Sequence, residues 1–512
     1  MTSLIHSIRA VGLALFVFAG FVAGAAPAHA TGDGVTSLSD VPFATDPGFP
    51  LTGRREIIVG GVSSGATAVV ELASGGDVAL AGVINGVVYL QRVTNAGQRG
   101  TWPAGNPSTP ALVRFDPPAG IGFRSVTDMK VFGDRLYVLA NRQQSTTVTT
   151  NDVFVLVFGL DGAFRSYYLA MSNFRDEYGA GMAIYQTLVI GGSSTTYVSV
   201  IGHRVLDAVE SNPFLTRARL EGEELVRDTS IGDTNGYVQV PVPGGLCAPF
   251  NEACSMEVSK IVVKPTGVIG ATPVLYVGGA IRTSGDDWDY GLLCMSASGT
   301  PCAGFGNGGF VRRAFNNGGS LVDRATGIAV RRFGTFGAYT YTVYLSGNVA
   351  RRCQAGIGVL AFDGADGSTE FTFGLLGRVL VGGHDGGSGG TPICFLNDGP
   401  DITEDAALSG NHLFVAGARV YRDFNGNAYS DVQSLVLDTS GLVVDPLRAH
   451  VPGYPPGYTV PADLSSAVRA VTTDAAGRFL VGGQTVGPTE PFPSAFMSGR
   501  FVQDRIFGSG FD

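Results

Sequence analysis

Runs of β-branched, leucine and aromatic residues, each ended by a Gly, Asn or Asp turn, fill the chain from about residue 45 to its end. This is the pattern of short strands. The runs come in pairs. Residues 467–484 read AVRAVTTDAAGRFLVGGQ: a β run, a polar turn with Gly477, and a second β run closing on Gly482 and Gly483. The phrase recurs as TAVVELASGGDVALAG (67–82), SKIVVKPTGVIGATPVLYVGG (259–279), ATGIAVRRFGTFGAYTYTVYLSG (325–347) and EDAALSGNHLFVAG (404–417). VTDMKVFGDRLYVLA (126–140) and GMAIYQTLVIGG (181–192) are weaker copies, which makes seven.

Anchoring each copy on the small residue that ends its second run gives Ala81, Ala140, Gly191, Gly278, Ser346, Ala416 and Gly482, spaced 51 to 87 residues apart. A unit of that length holds four strands and variable loops, more than the shorter propeller repeats need. After several anchors comes a third run and a turn, as in VVYLQRV before Asn95-Ala96-Gly97 and VFVLVFGL before Asp161-Gly162. The sequence therefore predicts an all-β chain whose residues 45–512 form a single β-propeller of seven four-stranded blades. The small pairs would let inner strands crowd toward the axis.

A further phrase lies between units. Residues 302–310 read CAGFGNGGF and residues 505–511 read RIFGSGF, while near the other end DPGFPLTGRREIIV (46–59) puts Phe49 and Gly53 in similar places ahead of a strand. The chain thus starts with the strand that its last unit lacks. Strands from both termini would close the ring and remove its exposed edges.

Paired strands ending in Gly-Gly, a turn, and then a Phe-Gly-x-Gly phrase together resemble the bacterial delta-60 repeat. The resemblance covers essentially all of residues 45–512 and is clearest in units four, five and seven, whereas units two, three and six lack a clear Phe-Gly-x-Gly phrase. It implies an exported or surface protein with a propeller fold, and it brings no catalytic residues.

The first residues read as an export signal. Arg9 precedes the uncharged run 10–26, Pro27 breaks it, and Ala28-His29-Ala30 offers a small-x-small cleavage site. Residues 1–30 are thus expected to be a signal peptide cleaved before Thr31, with a short linker over 31–44, and the protein is expected to be secreted: extracellular, at the cell surface or periplasmic. No membrane span is expected after cleavage.

Composition changes this picture little. The net charge of −9 becomes one unit more acidic when Arg9 is removed, which disfavours nucleic acid and anionic membranes as partners. The 75 glycines and a charged fraction of 15% fit turns and strands. Lysine occurs only at Lys130, Lys260 and Lys264. Six cysteines in an exported chain read as disulfides, with Cys247 to Cys254 and Cys294 to Cys302 as neighbours and Cys353 to Cys394 closing a longer loop.

Candidate chemistry is sparse. Asp423, Asn425, Asn427 and Asp431 in DFNGNAYSD carry oxygens at the near-alternate spacing of a calcium loop, although Ser434 stands where a loop's closing acid would be. A hairpin turn accounts for the same residues. No cofactor is expected beyond that calcium ion. In SGDDWDY, Asp286, Asp287 and Asp289 surround Trp288, a grouping suited to sugars or cations and also to a plain loop between strands. His203, His384, His412 and His450 lie far apart and outside any nucleophile or metal motif. The C-terminal FGSGFD could serve as a sorting tag, though the repeat already explains it.

The expectation is a monomeric, non-enzymatic binding or surface-associated propeller with a protein or glycan ligand. The alternative is an extracellular hydrolase, lyase or oxidoreductase with its site in the central funnel. Converging carboxylates or histidines there would favour the alternative.

Overall fold

The computed structural model describes thirty strands between residues 43 and 503, with most of their turns. Outside the description lie 1–42, 46–53, 59–65, 73–75, 96–99, 105–111, 117–121, 144–149, 172–174, 188–193, 207–209, 234, 248–253, 265–272, 285–286, 316–321, 336–337, 351–354, 382–397, 423–427, 451–464, 487–494 and 504–512. No α-helix occurs among the described residues.

The strands form seven antiparallel sheets. After β1 (Phe43–Thr45) and β2 (Arg54–Ile58), blade 1 holds β3 (Ala68–Glu71), β4 (Val78–Ile84), β5 (Val87–Val93) and β6 (Leu112–Phe115). Blade 2 holds β7 (Phe123–Phe132), β8 (Arg135–Gln143), β9 (Asn151–Gly159) and β10 (Phe164–Met171). Blade 3 holds β11 (Asp176–Thr187), β12 (Thr195–Val205), β13 (Ser211–Glu221) and β14 (Glu224–Arg227), with β15 (Tyr237–Gln239) also on β13. Blade 4 is β16 (Ser255–Val263), β17 (Val274–Ser284), β18 (Asp287–Ser296) and β19 (Phe310–Arg313). Blade 5 is β20 (Arg324–Phe333), β21 (Thr340–Val349), β22 (Gly356–Asp363) and β23 (Arg378–Val381). Blade 6 is β24 (Asp398–Ser409), β25 (His412–Arg422), β26 (Ala428–Asp438) and β27 (Val443–His450).

Blade 7 contributes β28 (Ser465–Thr473), β29 (Phe479–Val486) and β30 (Ala495–Gln503), and its outer position is filled from the start of the chain. Arg54 to Ile58 pair with Gly499 to Ala495, and Phe43 to Thr45 pair with Gln503 to Phe501. Pairing thus begins two residues ahead of the expected boundary at 45. The first strand of every blade touches that of the next, blade 7 to blade 1 included. The protein is a closed seven-bladed β-propeller.

Its core is not one mass but seven. Each cluster of buried apolar side chains lies between two adjacent blades, from Phe123, Leu136 and Phe158 between blades 1 and 2 to Leu80, Ala470 and Leu480 between blades 7 and 1. That is why the second and third strands read as continuous apolar runs. VFVLVF in β9 is buried on both faces because each sheet is sandwiched by its neighbours.

Near the axis, six first strands carry a register shift at the same place, with Thr127, Ala180, Ser259, Thr326, Glu404 and Arg469 as the extra residue. Bulges re-aim side chains, and here they aim hydroxyls at the next blade. Thr127 Oγ1 donates to the Gly179 carbonyl (2.8 Å), Ser259 Oγ to Ala325 (2.7 Å) and Thr326 Oγ1 to Thr403 (2.9 Å), while Thr67 in blade 1 donates to Val126 (2.6 Å). Between blades 6 and 7 the same positions form the Arg469–Glu404 ion pair. Each hydroxyl tie contributes on the order of 1 kcal/mol.

The bulge also gives a different reason for the small pairs. A Cβ on Gly202, Gly279, Gly347 or Gly417 would sit within 2.0 Å of a carbonyl oxygen of the first strand in its own blade. The close approach is therefore between first and second strands rather than across the axis. The third repeat unit is corrected as well. Residues 181–187 end β11, so the phrase 181–192 begins in a first strand and its last five residues lie outside the described ones, and the true counterpart of the Gly-Gly pair is Ile201-Gly202 in β12.

The two neighbouring cysteine pairs form disulfides, Cys247–Cys254 and Cys294–Cys302. Cys353 and Cys394 lie outside the described residues. Among the described residues no helix is long and apolar enough to cross a membrane.

Candidate functional site

Two places gather chemistry: the axis, and the face on which the first strands begin. Around the axis runs a cavity of about 230 Å³, walled by small and apolar residues of the first strands. Its charged members are Asp128, Lys130, Lys260 and Asp405. Asp128, Lys260 and Asp405 follow the bulges of blades 2, 4 and 6, where blades 3 and 5 have Gly181 and Gly327.

The carboxylates there are already engaged. Asp128 accepts the Met182 N–H of blade 3 (2.9 Å), and Asp405 accepts the Val471 N–H of blade 7 (3.0 Å). Lys260 Nζ donates to Asp405 at 3.2 Å, reaching past blade 5, and Lys130 pairs with Asp128 at 3.2 Å. Burial alone would push the Lys260 ammonium down, but Asp405, Asp128 and Glu404 outweigh it and hold it above its ordinary range. Lys260 is a strut across the axis.

The second place is built by blades 3, 4 and 5. Trp288 opens β18, half-buried, with the Arg324 guanidinium 4.4 Å from its ring centre. Arg324 also bonds the Glu257 carboxylate of β16. Burial pushes the Glu257 carboxyl up, but the Arg324 guanidinium, with Arg282 farther off, holds it below the usual range. His203 stacks on Tyr178 with ring centres 5.1 Å apart and accepts the Val258 N–H on Nδ1 at 3.2 Å. Burial keeps that imidazole below its ordinary pKa despite Glu257, which matches a neutral ring acting as acceptor.

Around the start of β18 stand three carboxyls. Thr283 Oγ1 donates to Asp287 (2.5 Å), and Asp323 accepts the Phe315 N–H (3.1 Å) and the Ala350 N–H (2.9 Å). Asp289 is 6% exposed and faces Arg312 at 3.6 Å. Burial, together with Asp287 and Asp323, pushes the Asp289 carboxyl up to about 6 against the pull of Arg312. A carboxyl that changes charge near neutral pH and faces an arginine can donate or accept a proton or orient a hydroxyl-rich ligand.

The expected loop is therefore a strand start. Asp287, Trp288 and Asp289 belong to β18, only residues 285–286 separate it from β17, and Asp286 lies outside the described residues. The expected calcium loop is divided: Asp423, Asn425 and Asn427 lie outside the described residues, and Asp431 is inside β26, paired with Arg419. Among the described residues no group of His, Cys, Asp or Glu is arranged to hold a metal ion. His384 lies outside the described residues, His450 ends β27, and His412 starts β25 far from this site.

Sequence reading passed over Arg324, Glu257 and Tyr178 and set His203 aside for want of a motif; the four lie in four strands of three blades. It also drew nothing from the rarity of lysine, yet two of the three lysines wall the axial cavity. Aligning the first strands on their bulges would have exposed the alternation of Asp, Gly and Lys just after them.

No protein-family model and no curated protein matches the sequence. Among solved structures, the chain is similar to the GH93 α-L-arabinofuranosidase of Fusarium graminearum (10% identity, 72% of this chain and 89% of that one, TM-score 0.36). It is also similar to a mannose phosphorylase from Leishmania mexicana (11%, 77% and 87%, TM-score 0.27) and an exo-β-1,3-galactanase from Clostridium thermocellum (8%, 72% and 73%, TM-score 0.28). At such distances the fold rests on this chain's own strand pairing, which makes it a seven-bladed propeller closed by both termini.

Proposed function

We propose that the protein is exported, as its N-terminal sequence and its two disulfides suggest, and that it is a binding module of the delta-60 kind. Its ligand is a glycan, taken at the face where Trp288 stands. The supporting observation is the convergence of Trp288, Arg324, Glu257, His203 and Tyr178 from three blades onto one half-buried polar and aromatic surface. Sugars need that combination: a flat apolar face against the ring, and fixed donors and acceptors for hydroxyls. The test is a glycan array with the secreted protein, followed by calorimetry on hits. Loss of binding in Trp288→Ala with an unchanged melting curve supports the reading; undiminished binding rejects this site.

A second reading, a glycoside hydrolase, is favoured by one observation, the Asp289 carboxyl held near 6 between Asp287 and Asp323. An acid poised near neutral pH beside an ionised partner is what glycosidic cleavage uses. Incubating array hits with the protein and following new reducing ends separates the two. Turnover abolished by Asp289→Asn would establish the hydrolase, and intact glycans leave the binding module.

A further inference from the structure

The third-to-fourth-strand connections of blades 1, 4 and 5 each reach over to the next blade. Phe305 of blade 4 is fully buried against Gly367 in the turn after β22 of blade 5, and the Gly306 N–H donates to the Asp366 carbonyl (2.8 Å). Phe373 of blade 5 repeats this on Gly441 of blade 6, with the Gly374 N–H on the Ser440 carbonyl (2.6 Å). Trp102 does the same on Gly162, with the Ala104 N–H on Asp161 (3.0 Å).

Beyond this aromatic hook the blades differ. In blade 4 the tip is Asn307-Gly308, whose glycine takes φ 61° and lies against Pro243. In blade 5 the matching tip is Leu375-Leu376, and Leu376 holds φ 56°. A leucine is strained in that left-handed conformation, which glycine adopts freely. Both leucines point into solvent, Leu375 at 73% and Leu376 at 64% exposure. Phe371 on the same connection is 68% exposed, and across the Gly374–Ser440 bond stand Leu442 and Val443, 66% and 38% exposed.

These five side chains present on the order of 500 Å² of apolar surface on the outer rim, at the top of the range for a soluble monomer. Two such patches face to face would remove about 1,000 Å² from water, the threshold of a specific interface. The rim carries both signs, with Arg313, Arg331 and Arg378 near Asp366, Glu370 and Asp438. A mixed rim can pair with its own copy, which a single-sign surface on an acidic chain could not.

We propose that the Leu375-Leu376 tip, with Phe371, Leu442 and Val443, is the contact surface of a two-fold homodimer, each copy covering the same patch on the other. The occupant is a second copy of this chain.

The test is sedimentation velocity of the secreted protein from about 1 to 100 μM, a range that brackets weak and moderate self-association. The comparison variant is Leu375→Asn with Leu376→Gly, which installs the tip of blade 4 and relieves the left-handed leucine, so it keeps the fold. The wild type is expected to dimerise and the variant to associate at least about tenfold more weakly, a difference of 1.4 kcal/mol. A wild type that stays monomeric at the highest concentration, or a variant that dimerises as tightly, overturns the proposal. Flotation with phosphatidylcholine vesicles supplies the other occupant. Patch-dependent vesicle binding by a monomeric wild type would assign the leucines to lipid and overturn the dimer.

Discussion

Blades 4 and 5 have the same four strands, the same bulge and the same aromatic hook, yet they differ wherever chemistry could reside. After the bulge, blade 4 has Lys260 and blade 5 has Gly327. Near the start of the third strand, blade 4 has Asp289 where blade 5 has Gly356. At the hook's tip, Asn307-Gly308 in blade 4 becomes Leu375-Leu376 in blade 5. At these matched positions blade 4 carries charge or a polar tip where blade 5 has glycines and an apolar tip. The repeat fixes what holds blades together and leaves a few positions free to diverge.

The shared part should cost most to lose. Phe305→Ala and Phe373→Ala each empty a fully buried site between blades and should lower stability by about 3–5 kcal/mol in denaturant unfolding. Equal losses would confirm a common hook, and a loss in only one would break the comparison.

Lys260→Met comes next. It leaves Asp405 without its cation beside an apolar chain, while Asp128 keeps Lys130; removing one partner of a buried pair costs about 3–5 kcal/mol, and partial exposure of Lys260 lowers this to roughly 2. Gly327→Ala in blade 5 is no control for it, because its Cβ would meet the Ala406 amide at 2.7 Å. The cleaner comparison is the double change Lys260→Met with Asp405→Asn, which should recover part of the loss.

Asp289 gives a pH signature that its blade 5 counterpart, Gly356, cannot. Its folded pKa of about 6 lies above its ordinary 3.8, so the folded state binds the proton more tightly than the unfolded one. Its penalty is absent below pH 4, grows as pH rises to 6, and is complete above that. Asp289→Asn should flatten the stability profile between pH 4 and 6 and raise stability at pH 7 by about 2 kcal/mol, once solvent screening is allowed for. A variant whose profile parallels the wild type would show that Arg312 neutralises the site.

The smallest effect belongs to the tip. Leu376→Gly removes a left-handed leucine and should stabilise the monomer by about 0.5–1 kcal/mol, the strain relieved exceeding the entropy added to the unfolded chain. Destabilisation instead would mean that Leu376 packs within its own blade.

Periodicity alone determined the architecture. Pairs of β runs with turn glycines, recurring along the chain, called for a repeat of antiparallel sheets, and the strand Arg54–Ile58 pairs with β30 to complete the last of them. These are local signals, written in runs and turns that fold against near neighbours in sequence. The two short disulfides were legible for the same reason. The third unit was misread because Gly191-Gly192, in the sequence between β11 and β12, imitates the Gly-Gly pair that closes a second strand elsewhere.

The candidate site was legible only at Trp288 and its aspartates. Arg324, Glu257, His203 and Tyr178 are spread over residues 178–324, and nothing in the spacing of single residues says which will meet. Only the ring, by setting the starts of three blades side by side, brings them together. The same holds for Lys260 and Asp405, which are 145 residues apart and meet across the axis. Sequence specifies the strands because strands are cooperative over a few residues. Burial, pairing of charges and exposure of the Leu375-Leu376 tip are properties of neighbours, and the closed ring chooses those.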